Sequence, residues 1–154
     1  MIIPFSAALR LSYTGKLVLA TGFFDLLHSE HKKFLSLSRK KGDLLLVGVE
    51  SDARARELKG PGRPFENQSV RARNLDALKL AHYIVPLPDS FGEPAVRENF
   101  ISVLRPSVLA VSSHSPNRKK KAELIKKYGG RLEVVHTHNP EISTTVIAKR
   151  SGKV

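Results

Sequence analysis

Two histidines three residues apart follow a short apolar run near the beginning of the chain. The stretch reads ATGFFDLLHSEH (20–31), so His28 and His31 flank a serine and Glu30. Residues at positions i and i+3 lie on one face of a helix, so both imidazoles can reach the same group. A helix that begins near His28 also directs its free N–H groups and positive dipole end there. The pattern therefore predicts a phosphate-binding site.

Two other interpretations of the histidine pair fit the same residues. A His-x-x-His pair can ligate zinc, although the chain has no cysteine and no third ligand is evident nearby. The pair can also be two polar residues that only begin a helix. The GxGxxG fingerprint and the Walker P-loop are both absent from the stretch, since Gly22 is its one glycine.

The elements that must position these histidines alternate between short apolar runs and longer helical patterns. The apolar runs show no clean alternation, as expected when both faces of a sheet are covered. This order predicts an α/β fold with a mostly parallel sheet and helices on both faces. Ligands of such sheets bind beyond the carboxyl ends of the strands, where His28 is expected. The predicted strands are 16–21, 44–50, 82–87, 106–112 and 131–136, and the predicted helices are 28–41, 53–59, 68–81, 93–104, 119–128 and one from Ser143.

Length and composition predict one domain spanning residues 1–154, with residues 1–15 as an N-terminal extension. The chain has 154 residues, of which 41% are hydrophobic, enough to bury a core. The lack of cysteine fits a reducing compartment. No apolar run reaches the roughly 18 residues that a membrane span needs, and the first residues lack the basic region of a signal peptide. We expect a cytoplasmic protein with no membrane partner.

The charge balance favours a polyanionic partner. The chain carries 26 basic and 14 acidic residues, a net charge of +12. Such a surface attracts nucleic acid, nucleotides or phosphorylated metabolites, or is a solvated basic face without a dedicated partner. Nucleic acid is the weakest of these hypotheses, because neither an RNP-like nor a helix-turn-helix pattern occurs.

Four segments in the same order resemble the motifs of the cytidylyltransferase-like nucleotidyltransferases. Gly22, Phe24, Asp25, His28 and His31 match the GxFDxxHxGH motif of that family in spacing. The chain is similar in particular to the heptose-phosphate adenylyltransferase, glycerol-3-phosphate cytidylyltransferase and archaeal FAD synthetase branch. The resemblance covers roughly residues 16–150 and implies a Rossmann-like parallel sheet of about five strands flanked by helices. The three later segments are GDLLLVGVESDARARELKGPGRP (42–64), SVRARNLDAL (69–78) and EISTTVIAKR (141–150).

The resemblance implies an enzyme that transfers AMP or CMP from ATP or CTP to a phosphorylated small molecule and releases pyrophosphate. The acceptor is a sugar phosphate, a polyol phosphate or FMN. Mg²⁺ is implied as the companion of the triphosphate, with no metal site made of protein residues. A homodimer is also compatible, since dimers are common in the family. The alternative is a catalytically degenerate module that binds a nucleotide without turning it over.

The resemblance also assigns roles to individual residues. His28 and His31 with Lys59 and Arg63, from a loop rich in glycine and proline, are the predicted catalytic residues. Plainer interpretations are an ordinary loop charge for the last two, a surface salt bridge for Arg71, and a simple helix cap for the serine and threonines near residue 143. The predicted nucleotide-binding residues are Gly22, Phe23, Phe24, Asp25, Arg71, Ser112, Ser143, Thr144 and Thr145.

Two positions depart from the family pattern. Glu30 stands where the family has glycine, so its charge either opposes the triphosphate or turns outward and favours the helix N-terminus. The segment VSSHS (111–115) replaces a glycine-rich turn, so the nucleotide base is not predicted. His136 and His138 are either a metal pair or ordinary surface histidines.

Overall fold

The computed structural model describes residues 1–137 and 139–152. Its five strands form one sheet in the order β3-β2-β1-β4-β5, and every neighbouring pair is parallel. The predicted α/β fold with a Rossmann-like sheet is confirmed. The strands are β1 (Leu17–Gly22), β2 (Leu44–Val49), β3 (Tyr83–Pro86), β4 (Val108–Ser112) and β5 (Arg131–His136).

Helices precede β1 and follow each strand, and most of them occupy the predicted segments. The predicted helix 68–81 is too long, because Lys79 has a left-handed backbone (φ 57°) that a helix cannot continue through. The first helix and a 3₁₀ turn over Asp89–Gly92 were not expected. The helices are α1 (Phe5–Ala8), α2 (Ser29–Arg39), α3 (Asp52–Lys59), α4 (Gln68–Ala77), α5 (Pro94–Leu104), α6 (Arg118–Lys127) and α7 (Thr144–Arg150).

Successive residues of each strand pack into two separate cores on opposite faces of the sheet. Val18 and Ala20 of β1 pack with apolar side chains of α2 and α4. Leu17 and Leu19 pack on the other face with side chains of α1, α5 and α6. Because both faces are covered, apolar residues occur at consecutive strand positions, as the sequence predicts.

The N-terminal segment extends the fold beyond β3. Ile2 forms an isolated parallel bridge with Ile84, and the Ile3 N–H donates to the carbonyl of Ile84 at 2.9 Å. Phe5 then stacks on Phe100, with ring centroids 5.2 Å apart. These contacts give the outer edge of β3 a hydrogen-bonding partner. Within the described residues, no helix is long and apolar enough to cross a membrane.

The direction of chain progression reverses between β1 and β4. The first three strands are added toward one edge of the sheet and the last two toward the other. At such a point, the loops that leave the two central strands diverge and open a crevice at the carboxyl edge. The histidines follow β1 and so lie at this crevice.

Candidate functional site

A cavity of about 1170 Å³ opens beyond the carboxyl ends of the strands. It collects residues from the loops after β1, β2, β4 and β5, as the topology requires. Among the predicted site residues, only Arg71 is absent from its lining. The residues present are Gly22, Phe23, Phe24, Asp25, His28, His31, Lys59, Arg63, Ser112, Ser143, Thr144 and Thr145.

The loop from β1 to α2 has an unusual backbone. Phe24 and Leu26 have positive φ angles of 52° and 49°, a conformation that side chains other than glycine seldom adopt. A Cβ at Gly22 would lie 3.1 Å from the ring of Phe24, which in turn contacts the imidazole of His31 edge-on at 5.6 Å. Gly22 therefore gives Phe24 the space to support the second histidine.

His28 and His31 stack on each other at the beginning of α2. Their ring centroids are 3.7 Å apart, with 17° between the planes. The His28 backbone N–H donates to Nδ1 of His31 at 3.4 Å, while the His28 side chain faces the backbone N–H of His31 in a reciprocal capping box. The histidines thus cap the helix and also line the cavity.

His31 is held in its neutral form. Burial, and then the nearby charges of His28 and Lys59, lower its pKa to about 3. Because Nδ1 accepts the His28 N–H, the proton of the neutral ring resides on Nε2. His31 can therefore donate one hydrogen bond to a phosphate oxygen at neutral pH.

Asp25 fastens the loop of residues 60–66. Its carboxylate is 2% exposed and accepts the backbone N–H groups of Phe65 at 2.8 Å and Glu66 at 3.0 Å. It also lies 3.6 Å from Nε of Arg63. These contacts occupy both carboxylate oxygens, so the structure makes Asp25 a positioning residue for the loop that carries Arg63.

Lys59 and Arg63 bring two positive charges to the cavity. Lys59 Nζ lies 5.5 Å from the ring centroid of Phe23, and burial followed by the charge of Arg63 lowers the pKa of Lys59. Arg63 stacks on Phe65 at 4.6 Å and donates from Nη1 to the hydroxyl of Thr145 at 3.4 Å. The loop is thereby joined to α7.

The Ser-Thr-Thr segment closes the same side of the cavity. The Ser143 hydroxyl accepts the Val146 N–H at 3.1 Å, an ordinary N-cap. The Thr144 hydroxyl donates to the carbonyl of Asp25 at 2.8 Å. Ser143 therefore caps α7, while Thr144 holds the beginning of this helix against the loop after β1.

Arg71 lies apart from the other predicted nucleotide-binding residues. It is fully buried, outside the cavity lining, and bonds to protein groups. Arg71 lies on α4, and its guanidinium is surrounded by backbone carbonyls. It donates to the carbonyls of Glu66 (2.9 Å), Phe23 (2.8 Å) and Glu50 (2.9 Å) and to the carboxylate of Asp52 (2.7 Å).

Glu30 turns toward β5 while still lining the cavity. Its carboxylate lies 3.2 Å from Nε2 of His136 and 3.3 Å from Nζ of Lys33. Burial raises the pKa of Glu30, but the hydrogen bonds from Lys33 and His136 outweigh it, so the net shift is downward. Glu30 is buried, with 6% of its surface exposed, so its side chain does not turn outward to solvent. The suggested metal pair of His136 and His138 includes a residue outside those described.

Three of the carboxylates that line the cavity already have partners within the protein. Asp25 binds backbone N–H groups, Glu30 pairs with Lys33, and Glu50 pairs with Arg54. Across residues 1–137 and 139–152, no three His, Asp or Glu side chains are grouped to hold a metal.

A second set of charged residues in the cavity was missed by the sequence analysis. Arg54, Arg97 and Lys121 line it together with Glu50. They come from three different helices and the end of β2, and no short motif contains them. Only the folded sheet edge brings them together.

Sequence comparison relates the whole of this site to known proteins. The chain is 39% identical over 137 residues to the bifunctional protein HldE of Syntrophotalea carbinolica, covering 88% of this chain and 27% of that protein. It is 38% identical over 141 residues to HldE of Geotalea uraniireducens, covering 90% and 28%. The chain thus spans little more than a quarter of the length of these relatives.

Comparison with solved structures finds proteins of the same fold. The lipopolysaccharide core biosynthesis protein of Thermoplasma volcanium superposes with a TM-score of 0.65 at 26% identity, over 82% of this chain and 98% of that one. The pantoate-beta-alanine ligase of Francisella tularensis shares the fold alone, with a TM-score of 0.60 at 12% identity, over 97% and 69%. The family model described as cytidylyltransferase-like matches residues 19–150. The chain therefore belongs to the cytidylyltransferase-like family of nucleotidyltransferases, as the motif around His28 and His31 predicts.

Proposed function

We propose that this chain transfers AMP or CMP from magnesium-bound ATP or CTP to a phosphorylated small molecule. The observation that carries the proposal is the stacked pair of His28 and His31 at the switch point of the sheet, in a cavity that also receives Lys59 and Arg63. Cationic and N–H donor groups that converge on one cavity suit a triphosphate.

The reaction requires no covalent enzyme intermediate. An oxygen of the acceptor phosphate attacks the α-phosphorus in line, a new P–O bond forms, and the bond from the α-phosphorus to the leaving pyrophosphate breaks. Charge moves to the departing phosphates as this bond lengthens. Donors aimed at those oxygens stabilise the transition state more than the ground state.

The predicted catalytic residues have distinct roles in this scheme. The neutral ring of His31 donates from Nε2 to a phosphate oxygen, and His28 lies beside it on the same face. Lys59 and Arg63 bring positive charge from the loop that Asp25 fastens. Their work is positioning and charge stabilisation, which supply most of the rate enhancement in phosphoryl-type transfers.

A sugar phosphate is the acceptor class to test first. Support comes from the similarity to a lipopolysaccharide core biosynthesis protein, since lipopolysaccharide cores are built from sugars. Polyol phosphates and FMN are the other acceptors that the motifs suggest. Location in the cytoplasm and a homodimeric state remain predictions.

Pyrophosphate release tests the proposal. The wild-type chain with Mg²⁺ is assayed with ATP and with CTP against sugar phosphates, polyol phosphates and FMN. We expect release with one pairing of nucleotide and acceptor, and a fall of about 10²–10³-fold in kcat in His28→Ala. Lys32→Ala, an exposed change on the same helix, is the matched control.

Two outcomes contradict the proposal. Nucleotide binding without pyrophosphate release across the whole panel would favour a module that has lost catalysis. Full activity in both His28→Ala and His31→Ala would mean that the transfer occurs without the histidine pair.

A further inference from the structure

Three cationic side chains surround one carboxylate on the part of the cavity wall formed by α3, α5 and α6. Arg54, Arg97 and Lys121 come from these helices in that order, and we call them the basic cluster. The carboxylate is that of Glu50, directly after β2, with Oε2 3.5 Å from Nε of Arg54. The side chains of Arg54 and Glu50 are 14% and 12% exposed, so the pair is largely removed from water.

Gly92 brings two of these cations together. Nη2 of Arg97 donates to the Gly92 carbonyl at 3.3 Å. A Cβ added to Gly92 would lie 2.5 Å from Nη1 of Arg54, so a larger residue would displace that guanidinium. Both arginines are therefore held against the same short segment before α5.

The basic cluster has more positive charge than the two carboxylates paired with Arg54, those of Glu50 and Glu57, can balance. Lys121 Nζ donates to the hydroxyl of Ser115 at 2.9 Å, and Arg97 to a carbonyl, both neutral acceptors. Among the described residues, neither cation has a carboxylate within 4.0 Å, while Arg54 already pairs with Glu50 and, at 3.6 Å, with Glu57. Burial lowers the pKa of Lys121 and raises that of Glu50. Partly buried charges without a counter-ion are costly, and an anionic ligand would offset that cost.

The basic cluster is separate from the groups that serve the reacting phosphates. His31 lies on α2, which packs on the face of the sheet that carries Val18 and Ala20. Arg97 and Lys121 lie on α5 and α6, which pack on the opposite face. The attacking phosphate must approach within about 3–3.5 Å of the α-phosphorus, near the histidines. The histidine pair and the cations of α5 and α6 are thus carried by helices on opposite faces of the sheet.

We infer that the basic cluster binds a second anionic group of the acceptor, a phosphate or a carboxylate, in addition to the phosphate that attacks the nucleotide. The inference rests on the proposed nucleotidyl transfer and narrows its acceptor to doubly anionic compounds, by which we mean compounds with two separate anionic groups, such as sugar bisphosphates or uronic acid phosphates. Glu50 orients Arg54 within this subsite, and its carboxylate also accepts hydroxyl groups of a sugar ring.

Calorimetric titration tests the inference without turnover. The probes are glucose 1-phosphate, glucose 1,6-bisphosphate and glucuronic acid 1-phosphate, at one ionic strength, with the wild-type chain. We expect at least one doubly anionic probe to bind about tenfold tighter than glucose 1-phosphate or better, as one charge-assisted contact provides. If only glucose 1,6-bisphosphate is preferred, the second group is a phosphate. If glucuronic acid 1-phosphate is preferred as well, the subsite accepts either a phosphate or a carboxylate.

Variants connect that preference to the basic cluster. The double variant Arg97→Gln, Lys121→Gln is expected to bind all three probes with similar affinity. Lys119→Gln, an exposed change on α6 outside the cavity lining, is the matched control and keeps the preference. Thermal unfolding checks that the double variant folds. If the double variant does not fold, the single variant Lys121→Gln provides the same test, and we expect its preference for the doubly anionic probes to be reduced.

Three results would overturn the inference: equal affinity for the three probes, no detectable binding of either doubly anionic probe, or a preference that survives in the variants. These results are distinguishable from a failure of the proposed function. If acceptors with one anionic group support pyrophosphate release and no binding preference is found, only the subsite is wrong. If the binding preference depends on Arg97 and Lys121 but no pyrophosphate is released, only the proposed nucleotidyl transfer is wrong.

Discussion

Glu30 and His136 are joined across the cavity although 106 positions separate them in the chain. Oε1 of the glutamate lies 3.2 Å from Nε2 of the histidine, at the end of β5. The strand register shifts between Val111 and Ser112, so that Ser112 pairs with His136. Lys33 is the second partner of this carboxylate, which stands where the family has glycine. The two partners partly neutralise its charge, so it should repel a bound triphosphate less.

We therefore expect Glu30→Gln to change the KM for ATP or CTP by less than about fivefold, because Lys33 and His136 already offset the charge of the carboxylate and Lys33 is exposed to solvent. His136→Ala leaves the carboxylate with Lys33 alone and should raise the KM more. The double variant should return toward the wild-type value, since the carboxylate is then absent. Steady-state kinetics of the three variants measure this. A roughly hundredfold fall in KM in Glu30→Gln would contradict it, since it would mean an unshielded charge opposing the triphosphate.

Arg71 should affect stability far more than substrate binding. Its guanidinium satisfies three carbonyls and Asp52 with no exposure to water, and a lysine cannot reproduce that fork. We expect Arg71→Lys to lower the free energy of unfolding by about 3 kcal/mol or more. Urea unfolding measures the loss, with the exposed Arg73→Lys on the same helix as control. A raised KM for the nucleotide with unchanged stability would instead restore Arg71 to the binding site.

The parts of this molecule that could be predicted from sequence are those fixed by local patterns. Apolar runs identify the strands because consecutive residues enter the two cores. The Ser51 cap and the Gly/Pro loop around Arg63 have short signatures of their own. The histidine pair is also local, since three residues of helix bring the two imidazoles together.

The parts that could not be predicted depend on contacts between distant segments. A lone arginine on a helix gives no sign that carbonyls from two loops will surround it, as they surround Arg71. Arg54, Arg97 and Lys121 come from three separate helices and meet only in the lining of the folded cavity. The partner of Glu30 depends on the register of β4 and β5, which the sequence pattern does not fix.

Asp25→Asn should loosen the loop of residues 60–66 and impair catalysis through it. The amide retains one oxygen acceptor, so one of the N–H groups of Phe65 and Glu66 loses a charged partner, and Arg63 loses its counter-ion. We expect the free energy of unfolding to fall by about 2 kcal/mol and kcat to fall at least about tenfold. Urea unfolding and the pyrophosphate assay measure the two effects. The control for kcat is Asp43→Asn. Asp43 accepts the Lys16 N–H at the amino end of β1, the end opposite the cavity. Unchanged kcat in Asp25→Asn would mean that the loop does not position Arg63 for the reaction.

His31 should make the folded state sensitive to acid well before the carboxylates titrate. Its pKa is about 3 in the folded chain and 6.5 in the unfolded one, so between these values the unfolded state binds the extra proton. Stability from this residue is therefore complete above about pH 7 and is lost as the pH falls, by about 2 kcal/mol between pH 7 and pH 5. Urea unfolding of the wild type and of His31→Asn at both pH values isolates this contribution. Asparagine retains an acceptor for the His28 N–H but does not titrate, so the variant should lose about 2 kcal/mol less than the wild type over that interval. Equal losses in the two proteins would mean that His31 is already protonated in the folded state at pH 5, and the neutral donor assigned to it in the transfer would then be wrong.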